Sequence, residues 1–159
     1  MCIAIYSLKG TDIPREDILK TCFLNNPDGA GFAFNKGGKV HIVKGFMDYK
    51  GFMAAFKKYD AEFGFKQRGV LIHFRIATHG GVNVGCCHPF SISSNDKQLK
   101  KSLLVSDYAV IHNGIIFGVF RRGNKPSVLP RDSKTSGATT KMARRMPSRK
   151  TLKREEPPV

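Results

Sequence analysis

The chain has 159 residues, 41% of them hydrophobic and 25% charged, which gives one domain with a sizeable core and excludes a wholly disordered or collagen-like chain. No apolar run approaches the ~18 residues a bilayer helix needs, and the start MCIAIYSLKG lacks the basic, apolar and small-residue regions of a secretory signal. The net charge of +15 is uneven: residues 121–159 hold 12 basic and 3 acidic residues, a net +9, which leaves +6 for the first 120.

These features predict a cytoplasmic, reducing setting without membrane contact. There Cys2, Cys22, Cys86 and Cys87 are free thiols, ligands or nucleophiles rather than disulfide struts. The charge break divides the chain into a domain over 1–120 and a basic, low-order tail over 121–159. No aromatic residue follows Phe120, so the tail offers nonspecific phosphate attraction but no base stacking.

In chain order, CIAIYSL (residues 2–8) places Ile3 and Ile5 at alternate positions and predicts a buried strand. After Pro14 the spacing of Ile18, Leu19, Cys22 and Phe23 predicts a helix of about three turns, opened by Glu16 and Asp17 and stopped at Asn-Pro-Asp-Gly. GFAFN and KVHIVKG flank Gly37-Gly38 as the arms of a hairpin. Over 48–63, Phe52, Met53, Phe56, Tyr59 and Phe63 recur at helical spacing as a core-facing stripe. Residues 69–78 predict a buried strand, and 102–116 another, interrupted by Asp107 and by a His-Asn-Gly turn. Strands, two helices and further strands indicate an α+β or layered α/β fold.

Three polar segments sit at the edges of these apolar runs. A residue-two cysteine gains a thiol and an α-amine on the same residue once Met1 is removed, and an amine with a pKa of roughly 7.7 to 8.0 can accept the thiol proton. Cys2 also fits a small apolar strand residue beside a retained Met1. Arg75, ending an apolar strand, suits a bidentate grip on a carboxylate or an internal ion pair. Asn113 and Gly114 supply an amide and a backbone N–H, the equipment of an oxyanion hole, or form a plain turn. Cys86, Cys87 and His88, with His73, His79 and His112 elsewhere, fail the spacing of a zinc site. No phosphate-cradling glycine loop is present in the sequence.

MCIAI, NPDGAGFAF (26–34), HFRIATHGG (73–81), NVGCCHPF (83–90) and IHNGII (111–116) together resemble the class II glutamine amidotransferase domain, of the amino-terminal-nucleophile type. The resemblance covers roughly Met1 to Gly118. It implies a four-layer αββα sandwich, without metal or cofactor, that hydrolyses the glutamine side-chain amide through a γ-glutamyl thioester on Cys2. It further implies an oxyanion hole of Asn113 and Gly114, and a carboxylate pocket of Arg75, Thr78, His79 and Gly80. Asp132, in Arg131-Asp132-Ser133, is the counterpart of the family aspartate that holds the substrate ammonium group.

From Arg121 the chain departs from the family pattern, which implies a domain truncated or altered at its carboxy-terminal end. No second domain receives ammonia, so a separate synthetase chain would, or the reaction ends as hydrolysis. Two other readings stand beside this one: an inactive remnant of the same domain, and a small basic nucleic-acid-binding protein acting through its tail.

Overall fold

The computed structural model describes residues 1–77, 81–114 and the strand Thr139–Ala143. It is an α+β fold in which a five-stranded antiparallel sheet, in the order β1-β4-β2-β3-β5, separates two cores. The strands are β1 (Ile3–Ser7), β2 (Ala30–Lys36), β3 (Lys39–Phe46), β4 (Val70–Phe74) and β5 (Leu103–Ser106). Alternation along each strand sorts the side chains. Ile3, Ile5, Phe32, Phe34, Val70, Ile72 and Phe74 go to one core, and Ala4, Tyr6, Ala33, Val40, Ile42 and Leu71 to the other.

The first core is covered by α1 (Glu16–Asn25), α2 (Tyr49–Phe63) and the single turn α3 (Phe65–Arg68). In α1, Leu19 and Phe23 are buried, whereas Ile18 is 45% exposed. The apolar face expected from spacing is therefore one residue narrower than the sequence pattern. Helix α2 begins at Asp48, whose carboxylate accepts the Gly51 N–H at 2.8 Å, an N-cap that satisfies an otherwise orphaned donor. It ends at Gly64, whose N–H donates to the Asp60 carbonyl at 2.7 Å. Phe52, Met53 and Phe56 are buried in the core, with Tyr59 and Phe63 packed at its rim. The β2–β3 hairpin turns through Gly37 and Gly38 at φ +57° and +74°, the left-handed pair that a two-residue turn between right-twisted strands requires.

The second core is closed by β6 (Ala109–Asn113), through Ala109 and Ile111. Strand β6 pairs antiparallel with β7 (Thr139–Ala143) in a separate two-stranded sheet. The described layers are thus helices, five-stranded sheet and two-stranded sheet. Helix α4 is a single turn at Asp96–Leu99.

Two differences from the sequence pattern have physical causes. Residues 102–116 do not form one interrupted strand: the chain leaves the first sheet at Asp107, which pairs with Lys39 at 2.6 Å on the surface, and enters the second sheet as β6. The polar Asp107 marks a change of sheet. Within 121–159, read from composition as low order, residues Thr139–Ala143 form β7. A strand of this kind is specified by the backbone donors and acceptors of its partner, and five residues among basic neighbours carry no periodic signal of their own. The 120/121 boundary itself lies outside the described residues. No helix among the described residues is long and apolar enough to cross a membrane.

Candidate functional site

Strands β1 and β4 are antiparallel neighbours whose register ends at Ile3 opposite Phe74. One step further, Cys2 precedes β1 and Arg75 follows β4. Ala4 belongs to the inter-sheet core, and its partner His73 reaches across to β6, so continued alternation directs Cys2 and Arg75 to the same inter-sheet face. Asn113 ends β6 two residues after Ile111, which fills that core. Sheet topology therefore brings residues 2, 75 and 113 to one end of the layer between the sheets.

The contacts are specific. Asn113 donates through Nδ2 to the Cys2 carbonyl oxygen at 2.5 Å, and the Cys2 thiol donates to the Ile76 carbonyl at 3.5 Å. Asn113 Oδ1 is buried with no hydrogen-bond partner among the described residues. Cys2, Cys22 and Cys86 are half-buried, and none of them forms a disulfide with another described cysteine. Gly114 follows at φ +121°. Arg75 is 7% exposed, and a guanidinium at that depth needs charge or hydrogen-bond compensation. Thr78, His79, Gly80 and Asp132 lie outside the described residues.

The backbone beyond β4 is shaped by the Asn-Pro-Asp-Gly segment, which the sequence presents as a helix stop and as part of the resemblance, with no role assigned to its side chains. Asp28 donates its N–H to the Arg75 carbonyl at 3.0 Å, and Arg75 N–H donates to the Gly29 carbonyl at 2.8 Å. The Asp28 carboxylate accepts the Ala77 N–H at 2.7 Å. The strand ends at Phe74, short of the expected 78, and these bonds set the course of residues 75–77. Buried Asn26 donates through Nδ2 to the Met1 carbonyl at 2.8 Å. Asn26 and Asp28 are the site-building residues that sequence reading missed. Their signal was a pair of short polar side chains in a turn already recognised as Asn-Pro-Asp-Gly, with nothing local to show what the turn would face.

Behind this corner lies a layer of neutral imidazoles. His73 donates through Nε2 to the His112 carbonyl at 3.2 Å, because a carbonyl only accepts, and this leaves Nδ1 as the lone-pair nitrogen. Burial lowers its pKa to about 4, with the Arg75 charge acting in the same direction. The His88 ring lies 4.4 Å from that of His73, and burial first, then the charges around it, holds His88 far below the usual imidazole range. Both rings are neutral at physiological pH.

Cys87 is fully buried, with Sγ 3.9 Å from Met47 Sδ. Burial pushes its thiol up, against the pull of Arg75 and Lys44, so it is poorly suited to act as a thiolate. Lys44 was also unmarked in the sequence. It is buried on the face opposite the helices, donates to the Leu99 carbonyl at 2.7 Å and lies 3.5 Å from the Phe90 ring centroid. Burial lowers its pKa to about 8. Among the described residues no group of three or more His, Cys, Asp or Glu is arranged to hold a metal ion.

The 86–90 segment crosses directly over β2 at Gly31. A Cβ there would lie 2.3 Å from the His88 carbonyl oxygen and 2.6 Å from Lys44 Cβ, neither of which is the free end of a flexible chain. Gly31→Ala is expected to destabilise the fold by about 1–3 kcal/mol through overpacking. A urea midpoint indistinguishable from wild type would mean that the two segments do not approach this closely.

No family model, curated protein or solved structure matches this chain.

Proposed function

We propose that the chain is a glutamine-hydrolysing domain of the class II amidotransferase kind, acting through Cys2 after removal of Met1. The observation that carries the reading is the hydrogen bond from the Asn113 amide to the Cys2 carbonyl, between residues 111 positions apart, at the same sheet end as buried Arg75. A nucleophile, a polar donor and a buried cation lie at one sheet end, and among the described residues no side-chain base is hydrogen-bonded to the Cys2 thiol, which suits chemistry using the nucleophile's own amine. In this proposal the helical layer and the two sheets are the described part of an αββα sandwich that is incomplete in this chain.

The proposed reaction starts with transfer of the Cys2 thiol proton to its α-amine. The sulfur attacks the glutamine Cδ, and the amide oxygen becomes an oxyanion. One Asn113 amide hydrogen is held by the Cys2 carbonyl; the other, with the Gly114 N–H, stabilises that charge. Collapse expels ammonia, which takes the proton from the amine. Water then cleaves the thioester, releasing glutamate and restoring the thiol. Arg75 holds the substrate α-carboxylate with two parallel hydrogen bonds. Thr78, His79 and Gly80 complete that pocket, and Asp132 takes the ammonium group.

Met1 is 91% exposed, open to an aminopeptidase. Its carbonyl presently accepts from Asn26; after processing, the new Cys2 amine comes within reach of that same side chain. The ammonia acceptor is a separate chain, or the reaction ends at glutamate.

Intact mass and ammonia release from glutamine, measured on the same preparation, test the proposal. The expected result is a des-Met chain that releases ammonia and glutamate in equal amounts. A processed, folded chain that releases none would overturn it in favour of an inactive remnant. Arg75→Lys is expected to raise KM for glutamine at least about tenfold with a smaller change in kcat, because an ammonium cannot reproduce the fork. An unchanged KM would remove Arg75 from the substrate pocket.

A further inference from the structure

We propose that β5 is a self-recognition strand, through which two copies of this chain join their five-stranded sheets into one continuous antiparallel sheet. The strand lies at the outer edge of the sheet order β1-β4-β2-β3-β5. Its inner edge is occupied: Lys44 N–H donates to the Ser102 carbonyl at 2.9 Å, and the register continues with Ile42 opposite Leu104 and Val40 opposite Ser106. In an antiparallel ladder the bonding direction alternates, so the N–H and C=O groups of 103 and 105 point away from β3.

The side chains make this edge unusual for solvent. Leu103 and Val105 lie opposite Val43 and His41, on the helix-covered face of the sheet. The helical layer stops short of them, and they are 62% and 53% exposed. An edge strand that is apolar and has outward backbone groups is a template for pairing unless charge or proline guards it. Here the flanking charges are of opposite sign, Lys100 and Lys101 before the strand and Asp107 after it.

That order makes the segment complementary to itself. Reading Lys101-Ser102-Leu103-Leu104-Val105-Ser106-Asp107 against a second, antiparallel copy about Leu104 pairs Leu104 with Leu104, Leu103 with Val105, Ser102 with Ser106 and Lys101 with Asp107. The two-fold axis repeats each contact, as an isologous interface requires. Outward-pointing residues meet outward-pointing residues, so the 103–105 pairs exchange backbone hydrogen bonds. A slip by one residue sets outward groups against inward ones, and a slip by two removes both ion pairs. Asp107 already pairs with Lys39 and would be shared with Lys101 of the second copy. A generic acidic partner would leave Asp107 facing like charge; a second copy does not.

A single strand pair is at the small end of protein interfaces, so a concentration-dependent monomer–dimer equilibrium is expected. Analytical ultracentrifugation of the full chain over a concentration series reads it directly. Val105→Pro removes an outward N–H without touching the β3 ladder, a position where an edge strand tolerates proline, and is expected to weaken association at least about tenfold. If that variant fails to fold by circular dichroism, Val105→Lys provides the same readout. Leu104→Cys is expected to form an intermolecular 104–104 disulfide under mild oxidation, identified by peptide mapping, because a non-hydrogen-bonded pair holds its Cα atoms about 4.5 Å apart.

A chain that stays monomeric throughout would overturn the proposal. So would a dimer indifferent to the residue-105 variants, or one that gives no 104–104 link. Slow hydrogen exchange of the 103 and 105 amides in a monomer would show that another part of the chain covers the strand, and would overturn it equally.

Discussion

Cys2→Ala is expected to abolish ammonia release from glutamine, to below about one-thousandth of the wild-type rate, while leaving the fold intact. The substitution removes one atom, Sγ, whose polar contact among the described residues is the 3.5 Å approach to the Ile76 carbonyl. Stability should therefore stay within about 0.5 kcal/mol of wild type. The Asn113–Cys2 hydrogen bond uses the backbone carbonyl and survives, so the loss would report chemistry rather than a displaced strand. In the proposed reaction no other group supplies the electron pair: buried Cys87 has its thiol pushed up, and His73 is held to its own backbone partner. Coupled assay of ammonia beside a urea melt separates the two effects. Retained turnover in a folded Cys2→Ala chain would remove Cys2 as the nucleophile.

The largest effect on stability is expected from Phe32→Ala, at about 3–5 kcal/mol. Phe32 is wholly buried in the middle of β2, and rings from other elements surround it. Phe46 stacks at 6.0 Å between centroids, and Phe52, Phe56, Tyr59 and Phe65 approach at 5.3–6.2 Å. They come from β3, α2 and α3, so the side chain ties the hairpin to the helical layer, and a void there cannot collapse without moving several elements. Against a typical total of about 5–15 kcal/mol, such a loss consumes about a fifth or more of the stability. Denaturant unfolding monitored by circular dichroism provides the value. A cost under about 1.5 kcal/mol would mean that the surrounding rings repack, and that the core is less specific than its geometry.

The two expectations differ in how far the sequence supports them. Phe32 belongs to an alternating strand, and α2 to an unbroken helical stripe; each pattern spans enough residues for periodicity to identify the buried face. The same holds for β1 and for the Gly37-Gly38 hairpin. Boundaries were less legible where polar contacts from elsewhere decided them. Strand β4 ends at Phe74, and the backbone that follows is held by Asp28 and Gly29, while Ile18 faces solvent beside buried Leu19. Neither is visible within the local window that a periodic pattern samples.

The candidate site shows the same division. Cys2, Arg75 and Asn113 could be singled out as polar residues at the ends of apolar runs, and the resemblance joined them. Their meeting follows from β1 pairing with β4 and from β6 lying across the inter-sheet core. Lys44 carried no legible signal, and Asn26 and Asp28 only that of a polar turn, since a turn asparagine or a strand lysine looks the same whether it faces water or another backbone.

By itself, then, the order of residues determined which segments become strands and helices and which of their faces are buried, because apolar periodicity is a local consequence of 2.0- and 3.6-residue repeats. The tertiary structure decided which segments became neighbours: the turn from one sheet to the other at Asp107, the pairing of Thr139–Ala143 with β6, and the closing of Asn113 onto Cys2. Those outcomes depend on backbone donors and acceptors finding partners more than a hundred residues away in the Cys2–Asn113 case, which no local pattern encodes.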